Sequence, residues 1–241
     1  MKENKYDDEE LFAKFHAAQV AAGGLNSDWS WEWPYLRSML PSLKGKRVLD
    51  LGCGLGWHCD YAIEQGAESV TGVEISQKML EAAKDLNKHK NIQYVHSSIE
   101  DFDYPKDKYD VVMSSMALHY VEPLDEVCRK ISQSLTSGGN FSFSVEHPTF
   151  TAAGTREWVP IENYFAEGNR DSAFLGVKLK KFHRMLSSYL KIPNENGLHV
   201  TDICEPSPSK QSVIDGTVKP DRLERPSVLI VQSFKDDILR R

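Results

Sequence analysis

Residues 48–57 read VLDLGCGLGW. A short apolar run containing Asp50 feeds a loop in which Gly52, Gly54 and Gly56 alternate, and glycines crowded behind a strand let the backbone pass close to a ligand. Nucleotide phosphates, nicotinamide dinucleotides and sulfonium nucleosides are all held by loops of this kind. The residues around the loop have to choose between them.

Outward from the loop the pattern is regular. Residues 57–66 read as a helix stopped by Gly66, and SVTGVEIS (69–76) as a second strand whose Ser76 caps the helix over 77–88. IQYVHSS (92–98) and YDVVMSS (109–115) read as the third and fourth strands. Pro123 opens a helix with Leu124, Val127, Cys128, Ile131 and Leu135 on one face, and NFSFSVE (140–146) is the fifth strand. Strands alternating with helices of this length predict βαβ units, hence a doubly wound, Rossmann-like α/β sheet, mostly parallel, with helices on both faces. Ligands bind such sheets at the carboxyl ends of the strands. The Gly52–Gly56 loop, Glu74, Ser97 and Ser98, Ser114 and Ser115, and Glu146 all fall there.

The flanks read differently. Residues 1–44 form an N-terminal helical lid: an amphipathic helix over 7–22 with Leu11, Phe12, Phe15 and Ala18 at helical spacing, then Trp29, Trp31 and Trp33, then a short helix stopped by Pro41. The tryptophans either pack on the body or cover a ligand. Residues 45–146 are the ligand-binding core. Residues 147–241 belong to the same domain and supply the substrate side. Within them, 147–178 read as an aromatic, loop-like insertion and LKKFHRMLSSYL (179–190) as a helix begun near His183 and Arg184 and interrupted near Pro193. Strands over 198–206 and 227–234 then make an antiparallel edge hairpin, which completes seven strands.

Composition excludes several classes. The 241 residues carry 29 Lys and Arg against 35 Asp and Glu, a net charge of −6, which does not favour a sequence-independent grip on nucleic acid. The charged start lacks a signal-peptide core, and no stretch approaches the roughly 18 apolar residues of a membrane span, so a cytoplasmic protein without a membrane partner is expected. Cys53, Cys59, Cys128 and Cys204 form no C-x-x-C pair, and neither a disulfide framework nor a metal site is expected.

Trp57 stands where the dinucleotide fingerprint needs its third glycine, and an indole there crowds a pyrophosphate; no P-loop motif is present either. Asp50 brings negative charge, which suits a ligand bearing a sulfonium and an α-ammonium group. Glu74, ending the second strand, is placed to accept both hydroxyls of a ribose.

In this order and spacing, VLDLGCGLGW, VTGVEIS, SSIEDFDYP, YDVVMSSMALHY and LTSGGNFSFSVEHP resemble the class I S-adenosylmethionine-dependent methyltransferases over about residues 45–147. The flanking YDDEELFAKF, FHRMLSSYL, CEPSP and RPSVLIV are similar to a bacterial small-molecule branch with a ubiquinone-biosynthesis-like core. The resemblance implies methyl transfer from S-adenosyl-L-methionine to a small-molecule acceptor, with S-adenosyl-L-homocysteine as product. Asp50, Gly52 and Gly54 would surround the methionine part, Glu74 the ribose, Ile75 the adenine face, and Ser114 the sulfur end. Where many members carry an acid for the adenine amino group this chain has Ser98, so that contact falls to the Ser98 hydroxyl, the Ile99 backbone or Glu100.

Methyl transfer from a sulfonium is an in-line displacement whose leaving group departs neutral. Alignment in a dry pocket is the main task, with a base where the acceptor must lose a proton. His119, Tyr120, Glu146 and His147 are the candidates for that base, with His119 equally readable as a structural histidine. His58 reads as a helix-face residue. Tyr164, Phe165, Arg170 and Phe174 either roof a substrate pocket, with Arg170 on an anionic group, or form a surface excursion. Two rival readings stand beside the enzyme: a nicotinamide-dependent oxidoreductase on a related sheet, which Asp50 and Trp57 oppose, and a non-catalytic S-adenosylmethionine-binding protein.

Overall fold

The computed structural model describes residues 4–21, 31–152, 163–214 and 218–235. A helix α1 (Glu9–Ala21) and a short α2 (Trp33–Ser38) precede β1 (Arg47–Leu51), α3 (Trp57–Glu64), β2 (Ser69–Glu74), α4 (Gln77–Leu86), β3 (Ile92–His96), β4 (Tyr109–Ser115), α5 (Leu124–Ser134) and β5 (Leu135–Glu146). Then come α6 (Pro148–Ala152), β6 (Gly168–Phe174), β7 (Val177–His183), α7 (Leu186–Glu195), β8 (Leu198–Cys204), α8 (Lys210–Ile214) and β9 (Val228–Lys235). Seven strands form one sheet in the order β3–β2–β1–β4–β5–β9–β8. The pairs from β3 to β5 are parallel, and β9 and β8 add an antiparallel edge. This is the expected doubly wound sheet with its edge hairpin.

Because β1 lies between β2 and β4, the chain leaves it toward both sides of the sheet, which opens a crevice at the carboxyl ends of the strands. Successive residues of a strand face opposite layers. Leu49, Leu51 and Val112 therefore pack with Val127, Ile131, Phe141 and Phe143 on one face, while Val48, Val111 and Met113 pack with Cys59, Ala62 and Leu80 on the other. Residues Trp33, Leu36 and Met39 cover Val228 and Ile230 at the antiparallel end. The Ser76 side chain caps α4 by accepting from the Met79 N–H, as its position predicts. Among the described residues no helix is long and apolar enough to cross a membrane.

The largest departure from expectation lies beyond β5. Residues 168–183, expected to run from a loop into a helix, form an antiparallel hairpin, β6–β7, outside the main sheet. Leu175 and Gly176, at φ +50° and +86°, make its two-residue turn. Exposure alternates along β7, with Lys178 and Lys180 outward and Leu179, Lys181 and His183 inward. His183 thus ends a strand, and the late helix starts only at Leu186 and runs past Pro193 to Glu195. The expected aromatic cluster is described in part: Trp31 and Trp33 pack in the third core cluster, and Trp29 lies outside the described residues.

Candidate functional site

The glycine loop is fixed from two sides. The Gly52 and Cys53 N–H groups both donate to the Val73 carbonyl, at 2.8 and 3.0 Å, which ties the loop to β2. Gly52 has φ +78°, and a Cβ built on it would lie 2.5 Å from the Ala117 Cβ, so a side chain there would separate the loop from the turn after β4. A Cβ on Gly54 meets nothing within 4 Å: its backbone borders open space. That space is a cavity of about 300 Å³ across the strand ends.

At one end of the cavity stand Glu74, Ile75, Met79, Ser98, Ile99 and Glu100. Glu74 accepts from the Gly54 N–H at 3.0 Å and from the Ser76 N–H at 2.9 Å, one bond to each oxygen. Burial raises its pKa, and those backbone donors oppose the rise. The Ser98 hydroxyl donates to Asp101 Oδ2 at 2.9 Å and accepts from the Asp101 N–H at 3.0 Å, which holds the turn after β3.

Two sequence candidates are not on the wall. Asp50 is 1% exposed and accepts from the Cys59 thiol at 3.4 Å beneath the loop, where burial pushes its pKa up to about 7. A β-strand side chain pointing into the α3 layer cannot also reach the crevice, so the charge expected beside the ligand lies under it. Ser114 is likewise buried, donating to the Leu51 carbonyl at 2.8 Å. Its neighbour Ser115 lines the cavity instead.

At the other end, His119, Tyr120 and Glu146 do come together, joined by Tyr6, Leu179 and Lys181. Lys181 forms an ion pair with Glu146 and is 5% exposed. The Glu146 N–H donates to His119 Nδ1 at 3.4 Å, so His119 carries its proton on Nε2. Burial, then the positive charges of Lys181 and Arg184, holds its pKa well below the usual range, and the ring is neutral. Burial also raises the Tyr120 phenol well above 10 and pushes Tyr6 up to about 12; their hydroxyls lie 3.3 Å apart. These phenols stay protonated. His147, grouped with Glu146 on sequence, lies outside the cavity: its Nε2 is 2.6 Å from Glu205 Oε1 and its Nδ1 is 2.8 Å from Thr149 Oγ1. One residue past the strand end, the chain has already turned into α6.

The roof is built from distant segments. Phe15 and Gln19 of α1 and Phe174 of the hairpin line the cavity, with the Phe15 and Phe174 rings 6.1 Å apart. Tyr164 instead bonds the start of α7 through its hydroxyl, Phe165 is 83% exposed, and the Arg170 guanidinium donates to backbone carbonyls of residues 163, 166 and 169. Asp7 anchors the segment before α1 by accepting from the Ser76 hydroxyl at 2.7 Å and the Lys78 N–H at 3.1 Å at the start of α4. Wall residues that sequence reasoning missed are Tyr6, Gln19, Glu32 and Lys181, while Trp57 and His58 were read for other reasons. Of these only Glu32 left a signal, an acid set between Trp31 and Trp33.

Comparison with known proteins supplies the family context. The methyltransferase domain family matches residues 49–143. An S-adenosylmethionine-dependent methyltransferase from Mesorhizobium loti is 35% identical, covering 86% of this chain and 99% of that one with a TM-score of 0.78. A Listeria monocytogenes protein provisionally assigned the same activity is 39% identical, covering 86% and 98% with a TM-score of 0.81. An uncharacterized Haemophilus influenzae protein is 31% identical over 95% of this chain and 96% of its own length. The tRNA U34 carboxymethyltransferase of Hahella chejuensis is 32% identical, but the match takes in 48% of this chain and 37% of that enzyme.

Proposed function

The chain belongs to the S-adenosylmethionine-dependent methyltransferases, and from that membership we propose that the acceptor of its methyl group is a small molecule bound beneath the α1 and β6–β7 roof. The observation that carries this reading is the roof. Phe15, Gln19, Phe174, Leu179 and Lys181 close over one cavity of about 300 Å³ that holds both the donor and the acceptor ends, an enclosure suited to a metabolite rather than to a folded polymer.

The residues present fit the methyl donor. Trp57 Nε1, His58 Nε2 and Gln19 Oε1 are buried on the cavity wall with no hydrogen-bond partner among the described residues, and buried polar atoms without partners await one. Trp57 and His58 open α3, so their N–H groups and the helix N-terminus suit the donor's carboxylate; burial pushes the His58 pKa down to about 4, which keeps the ring neutral. Glu74 would accept the ribose hydroxyls and Ile75 and Ile99 would pack on the base, with the Ser98 turn and Glu100 at its edge. The bound donor supplies an electrophilic methyl group on a sulfonium.

This chain's residues then do the remaining work. Gly52 and Gly54 let the backbone lie against the donor, and the aromatic roof excludes water. Tyr120 and neutral His119 donate hydrogen bonds toward the acceptor, and Lys181 neutralises Glu146. His147, outside the cavity, has no part in this reading.

A tRNA acceptor is disfavoured by the net charge of −6, and the match to the Hahella chejuensis tRNA enzyme takes in only 37% of that enzyme. The test is transfer of a labelled methyl group into a cell extract separated into small molecules and nucleic acid. Label is expected in the dialysable fraction; label in tRNA would overturn the small-molecule reading and leave the methyltransferase assignment standing.

A further inference from the structure

Four carboxylates line the cavity among the described residues, and their neutralisation differs. Glu74 is held by backbone N–H groups and Glu146 by Lys181, while Glu100 lies toward the nucleoside end. Glu32 is 5% exposed, and among the described residues its carboxylate takes a side-chain bond only from the Ser115 hydroxyl, at 3.2 Å, with no Lys or Arg paired to it. A buried carboxylate without a cation is costly unless a ligand brings one.

Glu32 stands at the β4–β5 side of the crevice, and the ring of the next residue, Trp33, lies 4.6 Å from that of His58. Ser115 ends β4, and its hydroxyl is 3.5 Å from that of Ser144 on β5, so the acid sits over the β4 and β5 tips, across the glycine loop from Glu74 on β2. The next residue, Met116, has φ +53°, a left-handed conformation that a methionine rarely adopts; it carries the chain back so that Ala117 meets Gly52. Rings of Tyr6, Phe15, Trp57, Tyr120 and Phe174 line the same cavity. Aromatic faces together with one unneutralised acid are the chemistry that recognises an organic ammonium ion.

We propose that the acceptor is an amine that enters as its ammonium ion, and that Glu32 both receives this cation and takes the proton it must lose before methylation. The proposal rests on the methyl-transfer reading above. In the step, an N–H bond of the ammonium breaks and its proton passes to a Glu32 oxygen. The freed nitrogen lone pair forms the N–CH₃ bond as the S–CH₃ bond breaks, with that bonding pair staying on sulfur. The methylated nitrogen is again a cation, and the proton leaves Glu32 for water when product departs. A neutral alcohol would bring no counter-charge to Glu32. Burial pushes the Glu32 pKa up to about 7, close enough to that of a buried ammonium for proton exchange but far too low to ionise an aliphatic hydroxyl.

The test uses calorimetry with the full chain loaded with S-adenosylhomocysteine, and benzylamine and benzyl alcohol as isosteric probes. Wild type is expected to bind the ammonium at least about tenfold more tightly than the alcohol. Glu32→Gln should abolish that preference while S-adenosylhomocysteine affinity stays within about threefold. Equal binding of the two probes by wild type, or an unchanged preference in the variant, overturns the proposal. So does a variant that weakens S-adenosylhomocysteine but not 5′-methylthioadenosine, because Glu32 would then hold the amino-acid end of the donor. Should the variant fold poorly, titrating wild type in buffers of different ionisation enthalpy, below the Glu32 midpoint, reads the same event. Release of about one proton on ammonium binding is expected, and none refutes it. If wild type binds neither S-adenosylhomocysteine nor 5′-methylthioadenosine, the methyl-transfer reading itself fails.

Discussion

Glu74→Ala tests the nucleoside end of the cavity most directly. The carboxylate has one backbone N–H on each oxygen, from Ser76 and Gly54, which leaves a lone pair on each for a ribose hydroxyl. Hydrogen bonds to a charged group contribute about 1.5–3 kcal/mol each, so losing both costs about 3–6 kcal/mol. Burial raises the Glu74 pKa, so part of that gain is spent on keeping the charge desolvated, and the lower end of the range applies. The expected result is an S-adenosylhomocysteine Kd raised roughly 100-fold, read by isothermal titration calorimetry. Glu74→Gln, which keeps one oxygen and so one of the two backbone bonds, should fall between wild type and the alanine variant. Free adenine is the control because it has no ribose. A Kd within about threefold of wild type would refute the ribose assignment. A parallel loss of adenine binding would show that the variant collapses the loop instead.

Gly52→Ala places a Cβ 2.5 Å from the Ala117 Cβ at φ +78°, and the left-handed strain of roughly 1–2 kcal/mol adds to overpacking of about 1–3 kcal/mol. A melting temperature lower by several degrees is expected, partly restored by Ala117→Gly; an unchanged melting curve would contradict the close approach. Asp110 accepts from Arg47 through both oxygens, a pairing that brings its pKa down to about 2. A depressed carboxyl pKa means that the contribution is complete above the unfolded value near about 4 and is lost as pH falls toward about 2. Allowing for solvent screening of this partly exposed pair, about 1 kcal/mol of stability should separate wild type from Asp110→Asn at neutral pH and vanish in acid, measured by urea titration at several pH values. A constant difference would argue against the pair. Asp7→Ala removes the acceptor for the Ser76 hydroxyl and the Lys78 N–H, so amide exchange over 4–21 should quicken and S-adenosylhomocysteine dissociate several-fold faster while global stability holds. Unaltered exchange would show that the roof is anchored elsewhere.

The parallel half of the fold was legible because each strand is a short apolar run bounded by glycines, caps or prolines, and because apolar runs separated by amphipathic helices admit few topologies. The β6–β7 hairpin was not. Leu179, Phe182, Leu186 and Leu190 are spaced three, four and four apart, which imitates one helix face, although the first two lie in β7 and the last two in α7. The Leu175–Gly176 turn and the alternating lysines were the competing signal. Strand-end residues could be placed by motif, but which way a side chain turns could not, and that separates Ser115 from Ser114 and Glu146 from His147. Charge and the family motif both put Asp50 beside the ligand, whereas the parity of β1 sends its side chain under the loop, onto Cys59. Glu32 escaped notice because its partner Ser115 is 83 residues away and only tertiary packing brings an acid from the N-terminal segment to the tip of β4.

The same N-terminal segment touches both ends of the cavity. Asn4 donates to the Ile75 carbonyl at 3.2 Å and Asp7 holds the start of α4, both beside Glu74, while the Tyr6 hydroxyl meets Tyr120 and Phe15 meets Phe174 at the acceptor end. Lys14 adds a bond to the Leu175 carbonyl at the hairpin turn. On the proposed function, a ligand that tightens these contacts at the acceptor end is expected to tighten those beside Glu74 as well, and the reverse. Coupling of this kind is reciprocal as a matter of thermodynamics. Acceptor occupancy should accordingly tighten the hold on the donor by the same factor by which donor occupancy tightens the hold on the acceptor. On the proposed function, loosening this one segment is therefore expected to weaken donor retention and acceptor binding together, since its contacts reach both ends of the cavity.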